Sequence, residues 1–134
     1  MENWTKKFHV ESSLQAKEGQ FAMFAGRWQP LHLAHQALFK GALDEGKNVL
    51  ICIRDGQVND KNPFTAQEVL DNVSAHYNSL IEQGRVKVMI IPDICSVEFG
   101  RGVGYDIIEH IPPTAIGEIS ATKIREEMRK DGRL

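Results

Sequence analysis

The chain has 134 residues, a net charge of −2, 42% hydrophobic residues and 25% charged residues. This length favours one domain, and the apolar content excludes a disordered chain. The two cysteines, Cys52 and Cys95, lie far apart within apolar runs, which is not the pattern of a disulfide scaffold. We expect a cytoplasmic protein without a signal peptide, a membrane span or broad affinity for nucleic acid.

The sequence predicts an N-terminal arm and one folded domain. Residues 1–19 are polar and show no sustained period, so we assign them to the arm and residues 20–134 to the domain. The predicted elements are, in chain order, a strand over 21–25, a helix over 32–45, a strand over 48–53, a capped helix from 65 to about 83, a strand over 86–92, a shorter strand over 105–111 and a helix over 120–129. This alternation predicts a single Rossmann-like α/β fold, a doubly wound parallel sheet with helices on both faces. Ligands of such sheets bind beyond the carboxyl ends of the strands.

The turn after the first of these strands combines three features that favour phosphate binding. Gly26 lets the backbone approach a ligand, and the next helix begins there with free amides and a positive dipole end. His32 and His35 lie three residues apart, so both rings can face one point and stabilise charge during phosphoryl or nucleotidyl transfer. Two surface histidines, or two metal ligands, are alternative interpretations of the same spacing.

The last helix offers a second set of groups for an anion. Ser120 is a good N-cap, Thr122 adds a hydroxyl in the first turn, and Arg125 follows one turn later. These groups suit the β- and γ-phosphates of a nucleoside triphosphate. A capped helix with a solvated, charged surface is the alternative interpretation.

Together these segments resemble the nucleotidyltransferase superfamily, which includes the cytidylyltransferases and the nicotinamide mononucleotide adenylyltransferases. Residues 32–35 (His-Leu-Ala-His) resemble its H-x-G-H signature, with Ala34 where the family has glycine. The lead-in over residues 26–32 is similar to the archaeal-type adenylyltransferases, and residues 119–125 match the I-S-x-x-x-I-R motif. The resemblance covers residues 21–130.

This resemblance implies that an oxygen of a phosphorylated acceptor attacks the α-phosphorus of a nucleoside triphosphate, with magnesium bridging the phosphates and pyrophosphate leaving. It implies that His35 acts at the α-phosphate, that His32 holds the phosphates beside it and that Arg125 binds the leaving pyrophosphate. The residues it assigns to nucleotide binding are Gly26, Arg27, Trp28, Ser120, Thr122 and Lys123. Trp28 is expected to act by packing under the nucleotide.

The acceptor is expected to be nicotinamide mononucleotide, with ATP as the donor. Arg54 and Asp55 end the second strand where they could meet a substrate, and Tyr105 follows a glycine-rich loop and could pack on a ring. A solvent-exposed strand end and a structural tyrosine are the alternatives. A cytidylyltransferase acting on a polyol phosphate, or a nucleotide-binding module without turnover, fits the same motifs. A homo-oligomer is compatible with this size of domain.

Overall fold

The computed structural model of the chain describes residues 5–9, 20–100, 104–110 and 121–132. Its elements in chain order are β1 (Thr5–His9), β2 (Phe21–Gly26), α1 (Leu33–Asp44), β3 (Asn48–Asp55), α2 (Ala66–His76), α3 (Asn78–Glu82), β4 (Val86–Pro92), β5 (Ile107–His110) and α4 (Ala121–Lys130). In the described part of the chain, no helix is long and apolar enough to cross a bilayer.

A three-stranded parallel sheet forms the centre of the fold. Its strand order is β2-β3-β4. Gly26 of β2 pairs with Ile53 of β3, and Val49 of β3 pairs with Val86 of β4. The middle strand is apolar from Val49 to Ile53, as expected for a strand that is paired on both edges and covered on at least one face. A parallel sheet with helices between its strands confirms the predicted Rossmann-like α/β class.

The two crossover helices that join these strands lie on one face of the sheet. Right-handed crossovers between strands in sequential order require this arrangement. Phe39 of α1 is fully buried there, with its ring 5.1 Å from that of Phe24 and 5.9 Å from that of Tyr77, which follows α2. On the other face, Met23 and Met89 are exposed. Ligands of such sheets often bind where the strand order reverses, but the order of the described strands does not reverse. We therefore identify the candidate site from the residues of the turns themselves.

Strand β1 lies within the segment expected to be an irregular arm. It pairs antiparallel with β5, from Thr5 opposite His110 to His9 opposite Ile107. The short strand expected near residues 105–111 therefore belongs to a separate two-stranded sheet rather than to the parallel one. Antiparallel pairing between distant segments leaves no local periodic signal, so neither strand's partner was predictable.

Both crossover helices begin with reciprocal caps. At the start of α2 the Glu68 amide donates to Thr65 Oγ1 at 3.1 Å, and the Thr65 amide donates to Glu68 Oε1 at 3.2 Å, which confirms the predicted capping box. The helix expected to continue to residue 83 is interrupted at Tyr77, whose backbone has φ −103° and ψ 17°. The Tyr77 ring is buried against Phe39, so the interruption coincides with a core contact.

Candidate active site

The turn after β2 is built around Trp28. Its φ of 51° is in the left-handed region, which is strained for a residue with a Cβ. The ring is buried, and Nε1 donates to the carbonyl oxygen of Cys52 at 3.0 Å, which holds the turn against β3. A Cβ on Gly26 would lie 2.9 Å from this ring, so glycine is required there. Trp28 therefore packs under the turn, and its role towards a nucleotide stays a prediction.

His32 and His35 form the cap of α1. The Ala34 amide donates to His32 Nδ1 at 3.2 Å, and the His32 amide donates to His35 Nδ1 at 3.3 Å. The two rings stack with centroids 3.6 Å apart. Because each Nδ1 accepts a hydrogen bond, each neutral imidazole carries its proton on Nε2. The pair therefore provides two Nε2–H donors.

Both rings are held in the neutral form. Burial lowers the pKa of His32 below its usual value. Burial, followed by the charge of His32, lowers the pKa of His35 to about 4. At neutral pH the pair consequently acts as hydrogen-bond donors rather than as two positive charges. Among the residues that the structure describes, no group of three or more His, Cys, Asp or Glu side chains could hold a metal ion.

Arg125 brings the last helix to the same turn. Its side chain is buried, Nη1 donates to the main-chain carbonyl of Gln29 at 2.6 Å, and Nη2 donates to Thr122 Oγ1 at 3.2 Å. Burial, together with the neighbouring charge of Arg129, lowers the pKa of Arg125. Lys123 is exposed on the same helix, and Ser120 lies outside the described residues. The early histidine turn and the last helix are thus in direct contact.

Arg27 extends from the turn towards the loop after β3. Its Nη2 donates to the carbonyl of Gln57 at 3.0 Å. A Cβ on Gly56 would lie 2.0 Å from Nη1 of Arg27, so the guanidinium rests directly on the glycine backbone. The buried Nε has no hydrogen-bond partner within the described part of the chain.

The three residues assigned to the acceptor have different surroundings. Arg54 contacts the start of the loop after β4, with Nε 3.1 Å from Asp93 Oδ1 and Nη2 2.9 Å from the Ile94 carbonyl oxygen. Asp55 and Tyr105 are exposed. Arg54 thus connects the ends of two neighbouring strands, and its role towards an acceptor stays a prediction.

Sequence reasoning missed Gln29, which is 4% exposed. Its side-chain amide donates to the Phe64 carbonyl at 2.8 Å and accepts from the Phe64 amide at 2.9 Å. A polar residue beside a proline in a turn is usually solvated, so only the long-range contact shows its importance. Its position in the lead-in similar to the archaeal-type adenylyltransferases was the one available signal.

The sequence of this chain is similar to those of known proteins over part of its length. Residues 23–87 match the family model described as cytidylyltransferase-like. A nicotinamide-nucleotide adenylyltransferase 1 of Sulfolobus acidocaldarius is 43% identical over 75 residues, which is 53% of this chain and 41% of that protein. A nicotinamide/nicotinic acid mononucleotide adenylyltransferase of Acinetobacter baylyi is 34% identical over 76 residues, 55% of this chain and 40% of that protein.

A nicotinamide-nucleotide adenylyltransferase of Thermococcus sibiricus is 33% identical over 75 residues, again covering 54% of this chain and 40% of the relative. The matched region is thus about two fifths of the length of each relative. The residues matched by the family model run from within β2 to the start of β4 and include the turn that bears His32 and His35. Over residues 23–87 the chain is therefore similar to cytidylyltransferase-like proteins.

Proposed function

We propose that the chain is a nucleotidyltransferase that transfers AMP from ATP to nicotinamide mononucleotide and releases pyrophosphate. The observation that carries this proposal is the meeting of two distant segments at one turn. Arg125 of the last helix donates to the carbonyl of Gln29, three residues before His32. The names of the three relatives support adenylyl transfer and the choice of acceptor.

In the proposed reaction a phosphate oxygen of the acceptor attacks the α-phosphorus of ATP, and the bond to the pyrophosphate oxygen breaks. The His35 Nε2–H donates to an α-phosphate oxygen on which negative charge increases, and His32 donates beside it. At neutral pH each neutral imidazole keeps the proton on Nε2, so both rings remain hydrogen-bond donors to the phosphate. Positioning and charge stabilisation supply the catalysis, and no protein nucleophile is required.

Arg125 would bind the leaving pyrophosphate. Within the described part of the chain, two of its five N–H groups bond Gln29 and Thr122, and its other N–H groups would bind phosphate oxygens. Thr122 and Ser120 would add hydroxyl donors at the start of the same helix, and Lys123 a further charge. Magnesium would arrive bound to the triphosphate.

One departure favours a second candidate, a module that binds nucleotide without turning it over. Ala34 occupies the position of the family's glycine, and its amide is part of the histidine cap. Its methyl group lies on the first turn of α1, where a phosphate or nucleoside would approach. Such a module would bind ATP in calorimetry but release no pyrophosphate.

A pyrophosphate-release assay separates these candidates. ATP and CTP are each combined with nicotinamide mononucleotide, nicotinic acid mononucleotide and glycerol phosphate. We expect release with ATP and nicotinamide mononucleotide, whereas release only with CTP and the polyol phosphate would contradict the proposal. ATP binding without release from any pair would instead support the silent module.

The role of Arg125 has its own test. Arg125→Ala should raise the KM for ATP roughly ten- to a hundredfold, because a charge-assisted hydrogen bond to phosphate is lost. Lys130→Ala, at the exposed end of the same helix, is the matched control and should leave the KM unchanged. An unchanged KM in Arg125→Ala would contradict the role in triphosphate binding.

A further inference from the structure

Gln29 contacts two segments that are distant in sequence. Its side chain pairs with both main-chain polar groups of Phe64, which are 35 residues away. Its own carbonyl oxygen accepts the 2.6 Å hydrogen bond from Arg125, which is 96 residues away. Gln29 is therefore the residue at which the histidine turn, the loop after β3 and the last helix join.

The chemistry of this contact requires a carboxamide. The Phe64 amide needs an acceptor and the Phe64 carbonyl needs a donor, and the glutamine side chain supplies both in one plane. A carboxylate would supply only the acceptor, and a thioether supplies neither to a useful degree. Because Gln29 is almost fully buried, water cannot replace the missing group at low cost.

The partner segment is itself ordered at both ends. Asn59 Oδ1 accepts from the amides of Lys61 and Asn62 at 3.0 and 2.9 Å. Thr65, directly after Phe64, caps α2. The Gln29 side chain thus connects the turn to a segment fixed by its own turn and by a helix start. Gln29 thus carries both the side chain that Phe64 holds and the carbonyl that accepts from Arg125.

We propose that Gln29 is a positioning residue for nucleotide transfer. Its side chain, held by Phe64, places the carbonyl that orients Arg125, and so aligns Arg125 with the histidine pair on a single triphosphate. This inference rests on the proposed function, because it assigns Gln29 to the same site. In a purely structural role, loss of the Gln29 side chain would only lower stability. In a positioning role, it would weaken ATP binding because Arg125 is no longer correctly oriented.

The first test measures ATP affinity by calorimetry in the full chain. Gln29→Met preserves side-chain length but removes both hydrogen bonds, and Gln29→Glu removes the donor alone. Both should weaken ATP binding about tenfold or more, since a buried donor or acceptor is left unpaired. Gln67→Met is the matched control, because Gln67 is exposed on α2 and its side-chain amide bonds Asp71 on the next turn of the same helix. It should leave ATP binding unchanged.

A double-mutant cycle distinguishes positioning from general destabilisation. If Gln29 acts through Arg125, Gln29→Met combined with Arg125→Lys should weaken ATP binding about as much as the worse single variant. The effects of the two substitutions on the melting temperature should remain closer to additive. A combined loss of affinity equal to the product of the two single losses would overturn the positioning role.

Exchange of the Phe64 amide hydrogen checks the contact without nucleotide. It should exchange faster in Gln29→Met than in the wild type, and equal exchange would overturn the proposed anchor. Should the wild type bind no ATP, the proposed function and this inference would both fail. Should it bind ATP with the same affinity after Gln29→Met, only the positioning role would fail.

Discussion

The turn after β2 and the loop after β4 are two connections at the same edge of the parallel sheet, and they are built in opposite ways. In the turn, Trp28, Gln29 and His32 are 7%, 4% and 8% exposed. In the loop, Val97 and Phe99 are 62% and 47% exposed, and every residue from 95 to 100 is exposed. One connection is folded into the core, whereas the other lies on the surface.

The difference arises from where the polar groups of each segment find partners. The turn bonds main-chain groups of other elements through Trp28 and Gln29, and it caps α1 through its two histidines. In the loop, Ser96 donates to Glu98 two residues away, and Arg54 secures only the start, at Ile94. The two histidines are thus placed in a turn whose backbone is restrained by several long-range hydrogen bonds, as side chains that act with fixed geometry require.

The largest expected effect comes from the Nε2–H of His35. In His35→Asn, the side-chain oxygen can replace Nδ1 as acceptor of the His32 amide, but the Nε2–H donor is lost. We expect kcat to fall roughly a hundred- to ten-thousandfold with the fold retained, as when one donor to a developing charge is removed. His76→Asn, at the exposed end of α2, should have no effect. Full turnover in His35→Asn would remove the histidine from the mechanism.

Acid should destabilise the turn through the same histidine. Its pKa is about 4 in the folded protein against 6.5 in the unfolded chain, so the unfolded chain binds the proton first as the pH falls. The stability present above pH 6.5 is therefore lost progressively down to pH 4, by up to about 3 kcal/mol. Urea unfolding of the wild type and His35→Asn across this range should give converging curves. Parallel curves would show that His35 does not titrate as described.

A smaller effect is expected from the indole of Trp28. Trp28→Phe keeps an aromatic ring but removes the donor to the Cys52 carbonyl, leaving a buried acceptor unpaired. The free energy of unfolding should fall by about 1–3 kcal/mol. Tyr105→Phe, which changes one polar group on an exposed ring, is the control and should not alter it. A Trp28→Phe variant as stable as the wild type would show that this bond does not hold the turn.

The smallest effect is expected in the loop after β4. Val97→Ser exchanges an exposed apolar side chain for a polar one, so the free energy of unfolding should change by less than about 0.5 kcal/mol. The same measurement by urea unfolding makes it directly comparable with Trp28→Phe. A loss similar to that of Trp28→Phe would mean that the loop is as integral to the fold as the turn.

Local patterns in the sequence determined the types of element and much of the site's composition. The apolar runs predicted β2, β3 and β4, Thr65 and Glu68 predicted the start of α2, and the spacing of His32 and His35 predicted neighbouring rings. These features depend on residues within four positions of one another. The period of a strand, the cap of a helix and the reach of one helical turn are all fixed over that range.

Only the tertiary structure decided which distant groups meet. It paired β1 with β5, placed both crossover helices on one face and directed Arg54 to Asp93. It also buried Gln29 between Phe64 and Arg125. Several of these contacts involve backbone groups, which every residue carries, so no local side-chain pattern marks them in advance. They form because the buried main-chain groups of a packed fold must find hydrogen-bond partners, wherever the chain brings them.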